Sequence, residues 1–285
     1  MFVEWFKRLW RVVGGSTPPV VKVLRLNGAI GMNVGLRKGL TLATVALPIA
    51  KLFADKSVAA AALVINSPGG SPVQAVLIHD RVRALAKERG IKVLTFAEDV
   101  AASGGYMLAL AGDEIYAHPN SIVGSIGVIS AGFGFDKLIE KIGVERRVHH
   151  AGDRKAMLDP FKPEDPKDAE HLESLQRDVH DSFKQMVRDR RGERLNGEES
   201  ELFSGAFWTG AKAKHFGLID GVGDLRTICR QKFGEKVEFQ VITPRRPWFS
   251  LDAFTSKTDY EPRADFATGL ITALEERALW SRFGL

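Results

Sequence analysis

The sequence predicts an α/β domain built on parallel strands, and three observations carry that expectation. Runs of strand length alternate with stretches of helical periodicity along most of the chain. Some of those runs, Leu63-Val-Ile65 above all, are apolar throughout, as strands covered on both faces are. Two runs lead into glycine-rich loops, Asn66-Ser-Pro-Gly-Gly70 and Ser103-Gly-Gly105. In a parallel sheet such loops lie side by side on the edge where ligands bind.

The elements follow in order. In residues 1–13, Phe2, Trp5, Phe6, Leu9, Trp10 and Val13 recur at helical spacing opposite Lys7, Arg8 and Arg11. That pattern suits a helix lying in a membrane interface. It suits equally a terminal helix docked on its own domain or on a partner subunit. Residues 14–19 break it as a linker. Residues 20–26 read as a strand, 41–53 as a helix, and 57–66 as an apolar run ending in a buried strand. A helix over 73–89 and a strand over 92–96 follow, then a tight turn at Ser103 with a helix to about 111. A short strand over 114–117 precedes the glycine-punctuated loop 119–127 and a short helix over 136–142. Residues 145–149 are a further strand candidate and 151–155 a loop. Asp165 as N-cap with Pro166 at the first helical position opens a long helix that ends at Gly192. A helix opening at 209 and ending in a glycine stop with a strand-like tail to 220, a helix over 224–233 and a strand over 237–243 complete the domain. Residues 244–263 read as loop, and 266–283 as a second amphipathic aromatic–basic helix. The expected division is an N-terminal helix and linker (1–19), one main domain (20–243) and a C-terminal extension (244–285).

Composition narrows the function. The 285 residues are 45% hydrophobic and 26% charged, ordinary for a globular chain. No stretch reaches the roughly 18–20 apolar residues of a membrane-spanning helix, nor the form of a signal peptide. The net charge of +5 is modest and its basic residues are interleaved with acids. That describes a solvated surface with some attraction to anionic lipid rather than a nucleic-acid groove. Cys229 is the lone cysteine, which excludes an intrachain disulfide and a cysteine-based metal site. No H-x-x-x-H or H-E-x-x-H spacing occurs, and neither phosphate-binding glycine pattern is present.

The candidate chemistry centres on Ser103, set between two alanines and two glycines at the end of a strand-like run. Small neighbours let a substrate backbone come close, and a helix entrance points N–H groups at a developing oxyanion. A nucleophile needs this, and a plain glycine-rich turn looks the same. Gly69, Gly70 and Gly104 can offer backbone N–H donors as an oxyanion hole, or form nothing more than two tight turns. For a base, His79, His118, His149, His150, His171, His180 and His215 are available, none beside a glycine-flanked loop. Lys155 is the alternative: buried among Met157, Leu158 and Phe161 it would lose charge solvation, its pKa would fall, and it could take the serine proton. Solvated lysines are far commoner than catalytic ones, so the residues alone do not choose it.

Several stretches together resemble the SppA-type signal peptide peptidases, the S49 family of serine peptidases. They are Asn66-Ser-Pro-Gly-Gly70, Ala101-Ala-Ser-Gly-Gly-Tyr106, Pro119 with Gly124-Ser-Ile-Gly-Val128, Ala151-Gly-Asp-Arg-Lys155, and Gly210 with Gly217-Leu-Ile-Asp220. The likeness runs in the family's order through about residues 20–235. It implies a ClpP/crotonase-like α/β fold and a Ser-Lys dyad, with Ser103 as nucleophile and Lys155 as general base. Gly69, Gly70 and Gly104 are then the candidate oxyanion donors. It also implies peptide substrates such as apolar remnant signal peptides, no metal or organic cofactor, and a homo-oligomer with active sites facing a shared chamber; the charge pattern already speaks against a nucleic-acid partner. The chain departs from the family in two places. Gly205 is followed by Ala206 where the family commonly has Gly-Arg, which touches a structural or subunit contact. In place of the usual membrane-spanning anchor stands the amphipathic stretch 1–13, so the expected setting is a bacterial protein, peripheral at a membrane or cytoplasmic. Two other readings use the same residues: a crotonase-like enzyme acting on acyl-CoA, and a non-catalytic membrane-associated scaffold.

Overall fold

The computed structural model describes residues 17–32, 39–243, 274 and 277–285. The expected helix over 1–13, the loop over 244–263 and most of the stretch 266–283 lie outside the described residues. Of the last, residues 277–281 are helical. Strand β1 (Val20–Asn27) leads through helix α1 (Leu42–Leu52) to β2 (Ala60–Ser67), α2 (Pro72–Arg89), β3 (Val93–Ala102) and α3 (Gly104–Ala109). Then come β4 (Glu114–Ala117), β5 (Ile122–Gly124), α4 (Asp136–Lys141), α5 (Pro166–Arg191) and α6 (Glu199–Leu202). The domain closes with β6 (Phe207–Thr209), α7 (Gly210–His215), β7 (Gly221–Val222), α8 (Leu225–Phe233) and β8 (Glu238–Val241).

The strands form one sheet in the order β6-β5-β3-β2-β1-β8, with β4 pairing both β3 and β7. Every pairing is parallel except β5 with β6. Alternate side chains of the central strands feed two cores, as the two-residue period of a strand requires. Leu24, Leu26, Leu63 and Ile65 face α1, α2, α3 and α5 through Ile49, Ile78, Leu108 and Phe183. Val21, Val23, Ala62 and Val64 face α8 through Ile228 and Cys229. The alanines of β2 are narrow enough to be fully buried between both layers.

Local signals explain the helix starts. Thr41 and Thr44 cap α1 reciprocally, each side-chain oxygen taking the other residue's N–H. Asp165 accepts the Lys167 N–H ahead of α5, and Asp224 accepts two N–H groups at the start of α8.

Three expectations change. The strand expected to end at Phe96 continues to Ala102, because the Asn66 side chain spans an irregularity in the β2–β3 ladder. It donates to Asp99 at 2.7 Å and accepts from Val100 N–H at 3.2 Å. Beyond that point β3 trades one neighbour for another, β4 for β5. The segment 119–127 therefore contains a strand. The strand candidate 145–149 forms none: its residues pair with no strand among the described residues, and Arg146 instead bridges to Asp159.

The late Gly217-Leu-Ile-Asp220 stretch is a latch. Arg191, 2% exposed, donates to Gly217 O and with two nitrogens to the Asp220 carboxylate. Asp220 also accepts the Ile115 N–H, and Tyr106, buried one turn after Ser103, donates its hydroxyl to Leu218 O at 2.7 Å. Burial works to raise the Asp220 pKa, but Arg191 and the Ile115 N–H outweigh it and hold the carboxyl below its ordinary 3.8. A depressed carboxyl contributes stability that is intact above its unfolded value and is lost as pH falls through the folded one. Asp220→Ala leaves a buried guanidinium without its anion and is expected to cost about 3–5 kcal/mol. Urea unfolding near neutral pH reads this, and the difference from wild type should shrink on acidification below pH 3.8.

Candidate active site

Ser103 occupies the step from β3 into α3 with φ 52° and ψ −122°. Positive φ is uncommon for a residue with a Cβ, and holding one there costs about 1–3 kcal/mol. Such strain persists only where the surroundings over-determine it. Here the Ser103 N–H donates to Gly124 O at 2.8 Å, while its carbonyl accepts from Tyr106 and Met107 at 2.9 and 3.1 Å. A strand-to-helix turn of this kind holds a side chain out at the top of the sheet.

The other glycine loop presses on this turn from β2. A Cβ on Gly69, at φ 108°, would sit 2.8 Å from Ser103 Cβ, and one on Gly105 would sit 2.4 Å from Ser67 O. Only glycine permits that backbone-on-backbone approach. Gly70 N lies 3.5 Å from where a Gly104 Cβ would be. The structure thus gathers Ser103, Gly69, Gly70 and Gly104 at one point. The three glycines differ there. The Gly69 N–H is directed to Ser67 Oγ at 3.3 Å, whereas those of Gly70 and Gly104 have no acceptor among the described residues.

Lys155 is placed differently. It lies in exposed turns at 151–158, its N–H on Gly152 O at 3.1 Å, and its ammonium makes no hydrogen bond or ion pair among the described residues. The expected burial is absent in the single chain. Leu158, at φ 54°, is 44% exposed and its N–H is held by Asp168. Phe161 is taken by Phe135, 5.6 Å between ring centres, and by the Arg146 guanidinium 4.8 Å above it. The whole arm from 128 onward carries exposed apolar side chains, among them Ile129, Phe133, Leu138, Ile142 and Val144.

Two further candidates are buried in the core. Cys229 is buried and its thiol is pushed up to about 11, chiefly by that burial. The His79 ring is buried against Asp80, 2.8 Å from Nδ1, and burial lowers its pKa although Asp80 opposes this. Among the described residues no group of three or more His, Cys, Asp or Glu could hold a metal ion, and no helix is long and apolar enough to cross a membrane. Sequence reasoning named Ser125 only within a motif and His180 only among the available histidines, and missed that both stand beside the turn. Ser125, buried at φ 53°, follows the glycine whose carbonyl holds Ser103. His180 reaches the same segment from α5, its Nε2 3.0 Å from Ile126 O. The positive φ had a signal in Gly124-Ser-Ile-Gly127; the contact across 54 residues had none.

Comparison with known proteins shows the family. Residues 85–237 match the model of peptidase family S49. A Synechocystis protein named as a protease is 31% identical over 240 residues, 81% of this chain and 82% of its own length. The chloroplastic serine protease SPPA of Arabidopsis thaliana is 36% identical over 189 residues, 62% of this chain. A protein of Brucella abortus named Na(+)/H(+) antiporter NhaA is 50% identical over 273 residues, 93% of this chain. The chain spans 37% of that relative's length and 26% of the Arabidopsis protein's. Among solved structures, a membrane-bound stomatin-specific protease, 1510-N, superposes with TM-score 0.51 at 16% identity, over 81% of this chain and 100% of that one. The family model and the Synechocystis relative together define the class. The chain belongs to peptidase family S49, and its fold is the ClpP/crotonase-like α/β type.

Removing the Ser103 side chain relieves the strain of its φ of 52°. Ser103→Gly is expected to raise unfolding stability by about 1 kcal/mol in urea, the relief exceeding glycine's added chain entropy. A loss of stability would contradict the strain.

Proposed function

We propose that the chain is a serine endopeptidase with a Ser-Lys dyad, acting on extended apolar peptides such as remnant signal peptides. The observation that carries this is the strained Ser103 turn with two N–H groups beside it, of Gly70 and Gly104, that have no acceptor among the described residues. Ser103 Oγ attacks the scissile carbonyl and Lys155 Nζ takes the hydroxyl proton as the C–O bond forms. The oxyanion is held by Gly70 and Gly104, and the proton passes to the leaving amine as the C–N bond breaks. Water, deprotonated by the same amine, then releases the acyl group. Gly69 serves by fitting its Cβ-less face against Ser103, since its own N–H is engaged by Ser67.

Lys155 has to be brought to the hydroxyl and dried. The arm that carries it exposes Phe133 at 80% and Ile142 at 63%, which supports closure through packing against a second copy of the chain. The proposed working form is therefore a homo-oligomer. The aromatic–basic pattern of residues 1–13 supports a peripheral membrane contact.

An amine base acts only when neutral, so hydrolysis of an apolar fluorogenic peptide should climb as pH is raised into the alkaline range. Ser103→Ala and Lys155→Ala are each expected to lower kcat by at least about a thousandfold. Equal rates in all three proteins would remove the proposal. Binding of acyl-CoA thioesters without peptide turnover would favour the crotonase-type alternative, and assembly on liposomes without any turnover the scaffold.

A further inference from the structure

The peptide unit between Gly124 and Ser125 is pinned at both ends. Its carbonyl oxygen accepts the Ser103 N–H at 2.8 Å, and its N–H, that of Ser125, donates to Ala206 O at 2.7 Å. The φ of Ser125, 53°, turns about the bond at one end of that plane. Relaxation of Ser125 to a negative φ would swing the plane and carry the carbonyl away from Ser103. The next fixed point is one residue on. The Gly127 N–H closes back on Ser125 O at 3.0 Å, and the carbonyl of the same Ile126–Gly127 unit lies 3.0 Å from His180 Nε2. A carbonyl oxygen can only accept, so Nε2 carries the proton in this contact. His180 stands on the face of α5 that also holds the buried Phe183, Val187 and Arg191. Its backbone is therefore anchored independently of the bond it makes.

We propose that His180 is a positioning residue for the peptidase reaction: by holding Ile126 O it keeps the strained Gly124–Gly127 segment, and through it the Ser103 turn, in the reactive conformation. It acts through the backbone, touches no reacting atom in this account, and rests on Ser103 being the nucleophile. Without the imidazole the buried Ile126 carbonyl loses its donor, which is costly to leave unmet. The segment then gains a reason to relax.

The test compares wild type, Ser103→Ala, His180→Ala and His180→Gln by peptide kinetics, by the rate of covalent labelling with a fluorophosphonate, and by Tm. The glutamine variant retains a side-chain N–H donor. The expected result is that His180→Ala lowers kcat and the labelling rate together by about tenfold or more with KM little changed. His180→Gln is expected to recover most of both, even if its Tm stays as low as that of the alanine variant. Labelling of His180→Ala at the wild-type rate overturns the positioning role and leaves the serine mechanism standing. So does a glutamine variant as slow as alanine but as stable as wild type. Wild type that neither labels nor differs from Ser103→Ala overturns both.

Discussion

The structure depends on one hydrogen bond, from the Ser103 N–H to the carbonyl of Gly124. It joins the end of β3 to the end of β5 at the point where both chains leave ordinary strand geometry, Ser103 and Ser125 each taking positive φ. A hydroxyl at an unfavourable backbone angle is stable only if its neighbours leave it no alternative. Three groups of neighbours do this. The Gly69 backbone closes one side, the β5 segment a second, and α3, drawn down by Tyr106 and the Arg191–Asp220 latch, a third.

Helix α5 ties these together. Midway along it His180 meets the β5 segment. At its C-terminal end Arg190 donates to Leu110 O and Gly112 O just beyond α3, and Arg191 holds Asp220. Phe183 and Val187 between them enter the core. A single helix thus spans the turn's supports on both sides. The polar residues of its buried face are spent on backbone carbonyls that would otherwise be left unpaired in the interior.

The sequence made some of this legible and concealed the rest for physical reasons. Ser103 with its glycines stood out because a tight turn and a close backbone approach leave small residues within a few positions of each other. The caps at Asp165 and Asp224 and the covered strand at Leu63-Val-Ile65 are likewise local chemistry. The continuation of β3 past Phe96 was not legible, since it depends on Asn66 reaching across to Asp99 and Val100. His180 reads as one more polar helix residue until its partner 54 positions away is known. Residues 145–149 have a strand's composition but no neighbour to pair with among the described residues, and Lys155 lies in a loop that those residues leave exposed.

The most direct test of the account is a crystal structure of the assembled protein inactivated by a peptidyl boronate. The account predicts boron bonded to Ser103 Oγ, with Ser103 still at positive φ. One boronate oxygen should lie about 3 Å from the N–H groups of Gly70 and Gly104, and an amine from Lys155 within hydrogen-bond reach. An adduct on another residue, or one on Ser103 whose oxygens avoid both glycine N–H groups, would contradict it.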